Sequence, residues 1–551
     1  MSSLVYASRG SYGLTMRRGV VNPDEVTSLK LDPKSHICRS MKFSNNGQYL
    51  CYCDSARTVV IETATGAELF AFDKGKTQHI DFSPRDTVLV TYEPYLVYGA
   101  SRLHDDGTLK VPGPNLNLWS LSAKRSANER HLKEFVVKKQ SAWRLQFSED
   151  ETLAVRLSDK GLFVYDEMNF NEGRNIAVKD LEAIAVSPGA SPFIMCFIPS
   201  VKGQPALLQL RQLAGDLPTL FSKLSFNCDK CTMTWNSKGN AVLVTASVDV
   251  DKSDKSYYGV SHLHCITTKC DSFQVHLDKA GPLHYVEWSP NGNQFCVCYG
   301  FMPSKVAIYN MKGEVLWDIG EGHRNEVHYS PFGDILVTCG FGNISSGKMT
   351  FWNIESKSAI VEHEAPMTTQ FEWAPDGRHF FTATTAPRLR TSNGLRIWHY
   401  ANGIIYEHPE GKEELWQVLW RPSRAFTRPE IAVLTEQQRV GMTTNSNRAA
   451  ERTPLDNLPT GAITKHGRYV PPHMRNNKGT AAKAGGSGGA STSALSETEK
   501  KIKNIQKKLQ DIAKLKEKQN SGNVLELNQV EKIRHEEALR AELNSLKLAV
   551  D

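Results

Sequence analysis

The stretch CDKC places Cys228 and Cys231 at the spacing of a metal-ligand pair. His262, His264 and Cys265 follow further along the chain. A zinc knuckle needs a second pair with similarly compact spacing, so that four ligands can converge in a tetrahedron. The later residues instead fall in a run typical of a strand. The pattern therefore favours packed thiols over zinc, and we predict no metal site.

Two other motifs would indicate an enzyme. The segment GGSGG at 485–489 matches a nucleophile elbow, G-x-S-x-G. It lies in a Gly/Ser tract, without the preceding strand and following helix that expose a nucleophilic serine. The sequence contains neither a Walker A phosphate loop nor a dinucleotide-binding fingerprint. We predict a protein that is not an enzyme and needs no cofactor.

Basic side chains are the candidates for contact with RNA, because lysine and arginine neutralise phosphates. The sequence-based candidates are Arg388 and Arg390 in APRLR, and Lys500, Lys501, Lys503, Lys507, Lys508 and Lys514 near the C-terminus. An ordinary exposed loop and a solvated helix face are the alternative interpretations of these two groups. Both alternatives stay open from the residues alone.

The net charge of +7 is concentrated at the C-terminal end of the chain. From Arg439 onward there are 20 Lys and Arg residues and 12 Asp and Glu residues. The preceding residues contain 46 Lys and Arg and 47 Asp and Glu. A near-neutral body with a basic tail favours contact between the tail and an anionic partner such as RNA.

A short phrase recurs along the chain, and it must position any functional loops. Its copies are MKFSNNGQYL at 41, IDFSPRDTVL at 80, LQFSEDETLA at 145, AIAVSPGASPFI at 183, MTWNSKGNAVLV at 233, VEWSPNGNQFCV at 286, VHYSPFGDILV at 327, FEWAPDGRHFF at 371 and a degenerate VLWRPSRAF at 418. Each copy predicts a strand that ends in an apolar or aromatic residue, a tight turn and a second alternating strand.

Further strands follow each phrase, so the repeating unit contains about four strands. The spacing and content are typical of a WD40-like β-propeller, and they predict an all-β fold. Nine copies indicate one nine-bladed ring or two smaller rings. Two unrelated β-sandwiches are the alternative, but they give no reason for the phrase to repeat.

The predicted domains are the propeller at 1–435, a flexible linker at 436–494 and a basic helical tail at 495–551. Within the linker, RYVPPHMR favours an extended segment that presents a short partner-binding motif. Its candidate residues are Arg468, Tyr469, Pro471, Pro472, His473 and Arg475. A stiff spacer is the alternative interpretation.

The tail predicts an α-helical hairpin. Ser496 and Glu499 match a capping box, and apolar residues follow at helical spacing. Residues 520–522, Asn-Ser-Gly, end this helix, and a second amphipathic pattern begins after them. Two short helices bury little surface alone, so we expect them to dock on a partner.

Composition indicates where the protein works. The mean hydropathy is −0.40, and no uncharged apolar run is long enough to span a membrane. Eleven scattered cysteines suit free thiols in a reducing compartment. We expect a cytoplasmic protein without a secretion signal or a membrane partner.

Longer stretches carry a more specific signal. The segments TASVDVDKSDKSYYG at 245, YGFMPSKVAIYN at 299, TATTAPRLRTSNGLRIWHY at 382 and ELWQVLWRP at 414, with the tail segment EKKIKNIQKKLQDIAKLKEKQNSG, resemble the eukaryotic translation initiation factor 2A family. The resemblance implies a nine-bladed propeller that associates with the small ribosomal subunit. It also implies delivery of methionyl initiator tRNA to that subunit, codon-dependent and GTP-independent, on selected mRNAs.

The same resemblance implies contacts between the tail and mRNA or other translation initiation factors, and a monomer away from the ribosome. The RYVPPHMR motif also resembles a protein-binding segment of DEAD-box helicases of translation. A non-enzymatic scaffold, like the nine-bladed component of initiation factor 3, is the main alternative. An adaptor for protein turnover and a propeller peptidase are weaker alternatives.

Overall fold

The fold described is that of a computed structural model of the chain. The structure describes residues 3–434 except 28–36, 97–111, 123–128, 141–142, 159–160, 201–203, 226–227, 229, 248–260, 409–412 and 433, together with residues 509, 512, 513, 516, 536 and 540.

The recurring phrase folds as the prediction required, with FEWAPDGRHFF as an example. Its apolar residues form one strand at Gln370–Trp373 and a second at His379–Thr384, which pair in antiparallel register. Between them, Asp376 Oδ1 accepts hydrogen bonds from the backbone N–H groups of Arg378 (3.0 Å) and His379 (3.1 Å). Gly377 adopts a φ of 66°, which a residue with a Cβ adopts only at a cost.

Thirty-six strands form nine four-stranded antiparallel sheets, or blades, in the described part of the chain. Blade 1 contains β1 (Val5–Gly10), β2 (Gly13–Arg18), β3 (Asp24–Thr27) and β36 (Leu415–Trp420). Blade 2 contains β4 (Ser40–Phe43), β5 (Tyr49–Cys53), β6 (Thr58–Glu62) and β7 (Glu68–Phe72). Blade 3 contains β8 (His79–Phe82), β9 (Val88–Tyr92), β10 (Leu116–Ser120) and β11 (His131–Phe135).

The middle of the chain supplies the next three blades. Blade 4 contains β12 (Gln146–Phe147), β13 (Leu153–Ser158), β14 (Gly161–Asp166) and β15 (Gly173–Ala177). Blade 5 contains β16 (Ala183–Val186), β17 (Phe193–Ile198), β18 (Ala206–Gln212) and β19 (Thr219–Ser225). Blade 6 contains β20 (Lys230–Trp235), β21 (Ala241–Ser247), β22 (Ser261–Thr267) and β23 (Ser272–Gln274).

Three further blades complete the series. Blade 7 contains β24 (Leu283–Trp288), β25 (Gln294–Tyr299), β26 (Ser304–Asn310) and β27 (Val315–Gly322). Blade 8 contains β28 (Glu326–Tyr329), β29 (Ile335–Gly340), β30 (Lys348–Asn353) and β31 (Ser358–Glu364). Blade 9 contains β32 (Gln370–Trp373), β33 (His379–Thr384), β34 (Gly394–His399) and β35 (Gly403–His408).

The two ends of the propeller sequence close the ring. Strand β36 pairs with β1, so that Tyr6 lies opposite Trp420 and their rings pack edge to face at 5.6 Å. This pairing explains why the phrase at 418 is degenerate. The inner strand of blade 1, β36, pairs with β1 at the N-terminus, so the residues that follow β36 need not form a second strand. One nine-bladed ring is therefore confirmed, and the two-ring and sandwich alternatives are wrong.

The core lies at the seams between neighbouring blades. One cluster, for example, joins buried residues of blades 1 and 2, such as Val5 and Phe43, and another joins Tyr6 of blade 1 to Phe381 of blade 9. Equivalent clusters fill the remaining seams. Because each sheet is apolar on both faces, burial against two neighbours supplies the main stabilisation.

Polar side chains also join the inner strands of neighbouring blades. The Gln146 side chain accepts from Val186 N (2.8 Å) and donates to Ile184 O (2.7 Å). Gln370 makes the same pair of bonds to both backbone groups of Val418, and it donates at 2.6 Å. These bonds satisfy backbone groups on inner edges that have no strand partner.

The ring has two distinct faces, because strands alternate in direction within each blade. The linker face carries the second-to-third strand connections and the connections between blades. The turn face carries the first-to-second turns and the third-to-fourth turns. Residues 385–393 thus lie on the linker face, and the turn 374–378 lies on the turn face.

The C-terminal unit begins near Leu458. Its six described residues are helical, and Ile512 is buried. Lys516 Nζ lies 2.5 Å from Glu536 Oε2, and Arg540 pairs with the same carboxylate. An ion pair between helical residues twenty positions apart agrees with the predicted pair of helices. No helix within the described residues is long and apolar enough to cross a membrane.

Candidate nucleic-acid interface

The loop with the predicted arginines joins β33 to β34 and is held against the closing strand. Ala386 N donates to Leu415 O (2.8 Å), and Leu415 N donates to Asn393 Oδ1 (3.1 Å). Asn393 Nδ2 in turn donates to Leu389 O (2.7 Å). The base of the loop is therefore fixed by strand β36, which only ring closure brings next to blade 9.

Arg388 and Arg390 project from this fixed loop into solvent. Both residues are exposed, and the Arg390 side chain retains 73% of its accessible surface. Arg390 Nε lies 4.0 Å from Glu414 Oε1, a distance at which a surface ion pair contributes little. Within the described residues, Arg388 has no ion-pair partner. Both guanidinium groups are accessible to phosphate oxygens from the linker face.

Ring closure adds a cation that the sequence interpretation missed. Arg9, at the end of β1, donates from Nε to Gln417 Oε1 (2.8 Å) and from Nη1 to the Cys38 carbonyl (3.2 Å). Its guanidinium lies 6.0 Å from the Trp416 ring centroid. Burial lowers the pKa of Arg9, although it remains charged at any physiological pH. Arg9 and the arginine loop are almost the whole propeller apart in the sequence, and no local signal links them.

A cavity of about 260 Å³ lies below the arginine loop, between blades 1 and 9. Its wall contains linked hydroxyls, since Tyr12 donates to Ser8 Oγ (2.8 Å) and Ser8 lies 2.9 Å from Thr15 Oγ1. Burial raises the pKa of Tyr12 to about 12, so the phenol stays protonated. Arg17 lines the same cavity and donates to Tyr406 Oη (3.1 Å). The lining combines apolar side chains with these hydroxyls and the Arg17 guanidinium, which can bind a small polar group or water.

The cysteines of the CDKC segment lie at the start of blade 6, whereas the histidines and Cys265 lie on its third strand, β22. The Cys228 thiol donates to Lys230 O (3.3 Å), and His264 Nδ1 lies 3.2 Å from Lys223 Nζ. Burial raises the pKa of Cys231 to about 12, which disfavours a thiolate ligand. Among the residues described, no group of three His, Cys, Asp or Glu side chains can hold a metal ion.

Comparison with known proteins identifies the family. A sequence model described as "Eukaryotic translation initiation factor eIF2A" matches residues 223–418, which include the arginine loop. The chain is 38% identical to Eukaryotic translation initiation factor 2A of Caenorhabditis elegans, over 99% of this chain and 100% of the relative. The chain belongs to the eukaryotic translation initiation factor 2A family. It is therefore a translation initiation factor.

Other members of the factor 2A family agree in length. The relatives from Drosophila melanogaster and Schizosaccharomyces pombe are each 30% identical, over 92% and 98% of this chain and the same shares of their own. A solved structure titled "Crystal structure of the eukaryotic initiation factor" superimposes with a TM-score of 0.68. It is 28% identical and covers 77% of this chain and all of its own.

The factor 2A similarity extends to the tail. A second sequence model, the "Eukaryotic translation initiation factor 2A C-terminal domain", matches residues 500–546. The predicted tail lysines at 500, 501, 503, 507, 508 and 514 lie outside the described residues, as do the motif residues at 468, 469, 471, 472, 473 and 475. Their roles stay predictions.

Proposed function

We propose that this factor binds the small ribosomal subunit and directs methionyl initiator tRNA to it, codon-dependent and GTP-independent, on selected mRNAs. The observation that supports this proposal is the family similarity, which includes both propeller and tail at 38% identity over 99% of the chain. The protein acts in the cytoplasm without catalysis, and it is monomeric away from the ribosome.

The geometry supports a division of labour. The propeller (1–435) is a closed ring that holds the backbone of Arg388, Arg390 and Arg9 in place on one face, so little backbone conformational entropy is lost when RNA binds there. The basic tail (495–551) contacts mRNA or other initiation factors, and the linker (436–494) permits it to reach them.

Co-sedimentation tests the proposal. Purified protein is mixed with small ribosomal subunits, labelled initiator tRNA and a message containing AUG, without GTP. We expect protein and tRNA to pellet together, and replacement of AUG in a control message to abolish tRNA retention. A chain truncated after Thr435 shows how much of the binding to the subunit and of the tRNA retention depends on the linker and tail. Protein that stays in the supernatant at moderate salt contradicts the ribosome assignment.

A scaffold in a multiprotein initiation assembly is the second candidate. The observation in its favour is similarity to a component of Eukaryotic translation initiation factor 3 from Xenopus laevis, at 22% identity over 69% of this chain and 53% of the relative. If the protein is a scaffold, it pellets with the small ribosomal subunit and leaves the amount of retained tRNA unchanged. The same experiment therefore separates the two candidates.

A further inference from the structure

The connection between blades 3 and 4, described at residues 136–140 and 143–145, presents two lysines from a fixed base. At its start, Val137 N donates to Asn115 Oδ1 (2.8 Å), and Asn115 Nδ2 donates back to Val137 O (3.0 Å). Near its end, Trp143 packs against the core cluster of blades 3 to 5. Lys138 and Lys139 lie between these anchors and are exposed. This connection lies on the linker face, like the arginine loop.

An aromatic stack lies beside the lysines. The Trp143 ring is parallel to the His79 imidazole within 9°, with 5.0 Å between ring centroids. Gln140 Nε2 lies 3.1 Å from His79 Nε2, and Tyr92 stacks on His79 at 5.8 Å. Burial lowers the pKa of His79 and so favours its neutral imidazole. Both Trp143 and His79 are half-buried, which leaves part of each ring accessible.

The neighbouring connection between blades 2 and 3, residues 73–78, adds more positive charge. In the two connections, the described charged residues are Lys74, Lys76, Lys138, Lys139 and Arg144 against Asp73. Arg144 is 63% exposed and donates from Nε to Asp81 (3.0 Å), which also pairs with Lys42. Glu93 accepts the backbone N–H of Lys76 (3.0 Å). Among the described residues nearby, Asp81 is paired with two cations, and the remaining carboxylates, Asp73 and Glu93, are outnumbered by the four lysines.

Other connections on the linker face differ in charge. Residues 178–182, between blades 4 and 5, contain Lys179 against Asp180 and Glu182. Between blades 6 and 7, Lys279 pairs with Glu321 and Asp278 pairs with Lys305. Compared with these two connections, the sector formed by blades 2, 3 and 4 is more positive, and it is distinct from the arginine loop of blade 9.

We propose that this sector, Lys74, Lys76, Lys138, Lys139 and Arg144 around the Trp143–His79 stack, is a binding surface for single-stranded RNA. The lysines and Arg144 contact phosphates, and the stack supports an unpaired base. Cations beside an aromatic stack match the phosphates and bases of an unpaired RNA strand, whereas the carboxylates of an acidic peptide make no use of the stack. This inference deepens the proposed function and rests on it for the class of partner.

The direct test is charge reversal in the full chain. Lys138→Glu/Lys139→Glu is compared with Lys238→Glu/Lys312→Glu, which reverses two exposed lysines on the turn face. The probe is a fluorescent unstructured RNA of about 20 nucleotides, titrated by anisotropy at several salt concentrations. We expect the first variant to bind about tenfold more weakly at about 0.1 M salt or below, with a log–log salt slope shallower by about 1.4. The control is expected to match the wild type.

A second variant tests the aromatic stack. Trp143→Phe keeps an apolar ring against the core but reduces the stacking area, and we expect a few-fold loss of RNA affinity with an unchanged salt slope. Equal affinity and slope for wild type and both linker-face variants overturn the proposal. So does equal weakening by the turn-face control, since it indicates a nonspecific charge effect.

The outcomes also separate this inference from the proposed function. If wild-type protein fails to retain tRNA on ribosomal subunits but its RNA affinity depends on Lys138 and Lys139, the surface is correct and the recruitment proposal is wrong. If recruitment occurs and the linker-face variants bind RNA normally, the reverse holds. Polyglutamate that competes with RNA at equal charge concentration overturns the assignment to RNA in favour of an acidic protein partner.

Discussion

Two buried carboxyl groups show how single residues respond to the ring. Glu287 and Glu372 lie at equivalent positions on the inner strands β24 and β32, one residue before the tryptophan that ends each strand. Burial raises their pKa values to about 7 and about 8, respectively. The carboxyl of Glu372 accepts a hydrogen bond from the Trp420 backbone, which only partly offsets the loss of solvation.

We predict that Glu372→Gln removes a pH dependence of stability. In the folded chain Glu372 stays protonated up to about pH 8, whereas the unfolded chain ionises it above its ordinary value of 4.5. Its stabilising contribution is therefore complete below pH 4.5 and is lost as the pH rises through about 8. Urea unfolding at each pH measures the free energy of unfolding. Between about pH 6 and about pH 8.5, we expect this free energy to fall by about 2 kcal/mol more for the wild type than for the variant.

Glu355→Gln, on an exposed turn of blade 8, is the matched control for this prediction, and we expect it to follow the wild type at both pH values. Parallel stability curves for wild type and Glu372→Gln contradict a raised pKa at Glu372.

At the scale of elements, the turns after the inner strands do more than reverse the chain. The turn of each blade approaches the turn of the blade before it. An ideal Cβ on Gly239 would lie 1.9 Å from the Pro188 carbonyl oxygen, and one on Gly377 would lie 2.6 Å from the Phe332 ring. The repeated Pro and Gly therefore serve turn geometry and also contact between blades.

We predict that Gly239→Ala destabilises the propeller by more than backbone strain alone. Its φ of 64° costs alanine about 1 kcal/mol, and the clash with Pro188 adds to that cost. Gly342→Ala is the control, because its φ is 74° and no atom lies within 4 Å of an added Cβ. In urea unfolding, we expect Gly239→Ala to lower the free energy of unfolding by at least about 1 kcal/mol more than Gly342→Ala does. An equal decrease in the free energy of unfolding for both variants would show that close contact between neighbouring turns does not contribute to the cost.

The tail supplies a second prediction at this scale. Reversing Lys507, Lys508 and Lys514 together to glutamate should weaken RNA binding by the full chain and flatten its salt dependence, because three of the proposed phosphate contacts would be lost. Anisotropy titrations at several salt concentrations measure both effects. Unchanged affinity and slope indicate that these lysines form only a solvated face.

At the scale of the whole molecule, strand β36 makes stability a property of the closed ring. It pairs with β1, buries Val418 and Trp420, and holds the arginine loop through Leu415. We predict that a chain ending at Glu414 melts at a lower temperature or aggregates, because blades 1 and 9 expose their seam. A chain ending at Asn457 keeps the first compact unit and should melt like the propeller of the full protein. Identical melting of the two truncated chains contradicts this role of β36.

The sequence by itself determined the repeating element. Alternating apolar residues, an aromatic strand end and a Pro/Asn/Asp/Gly turn are local signals, since they depend on backbone geometry within about ten residues. The nine phrases therefore predicted nine blades, and long matching segments indicated the family. The exposed arginines at 388 and 390 were also predictable, because a polar connection between strands lies at the surface.

Only the tertiary structure decided what closes the ring and what lies on each face. The pairing of β1 with β36, the position of Arg9 beside Gln417 and the stacking of Trp143 on His79 join residues from separate strands or connections. The segment KKQSAWR shows its basic and aromatic residues in the sequence. The sequence does not show on which face of the ring they lie or which of the basic groups have ion-pair partners. These features depend on inter-blade packing and strand direction, which no local pattern encodes.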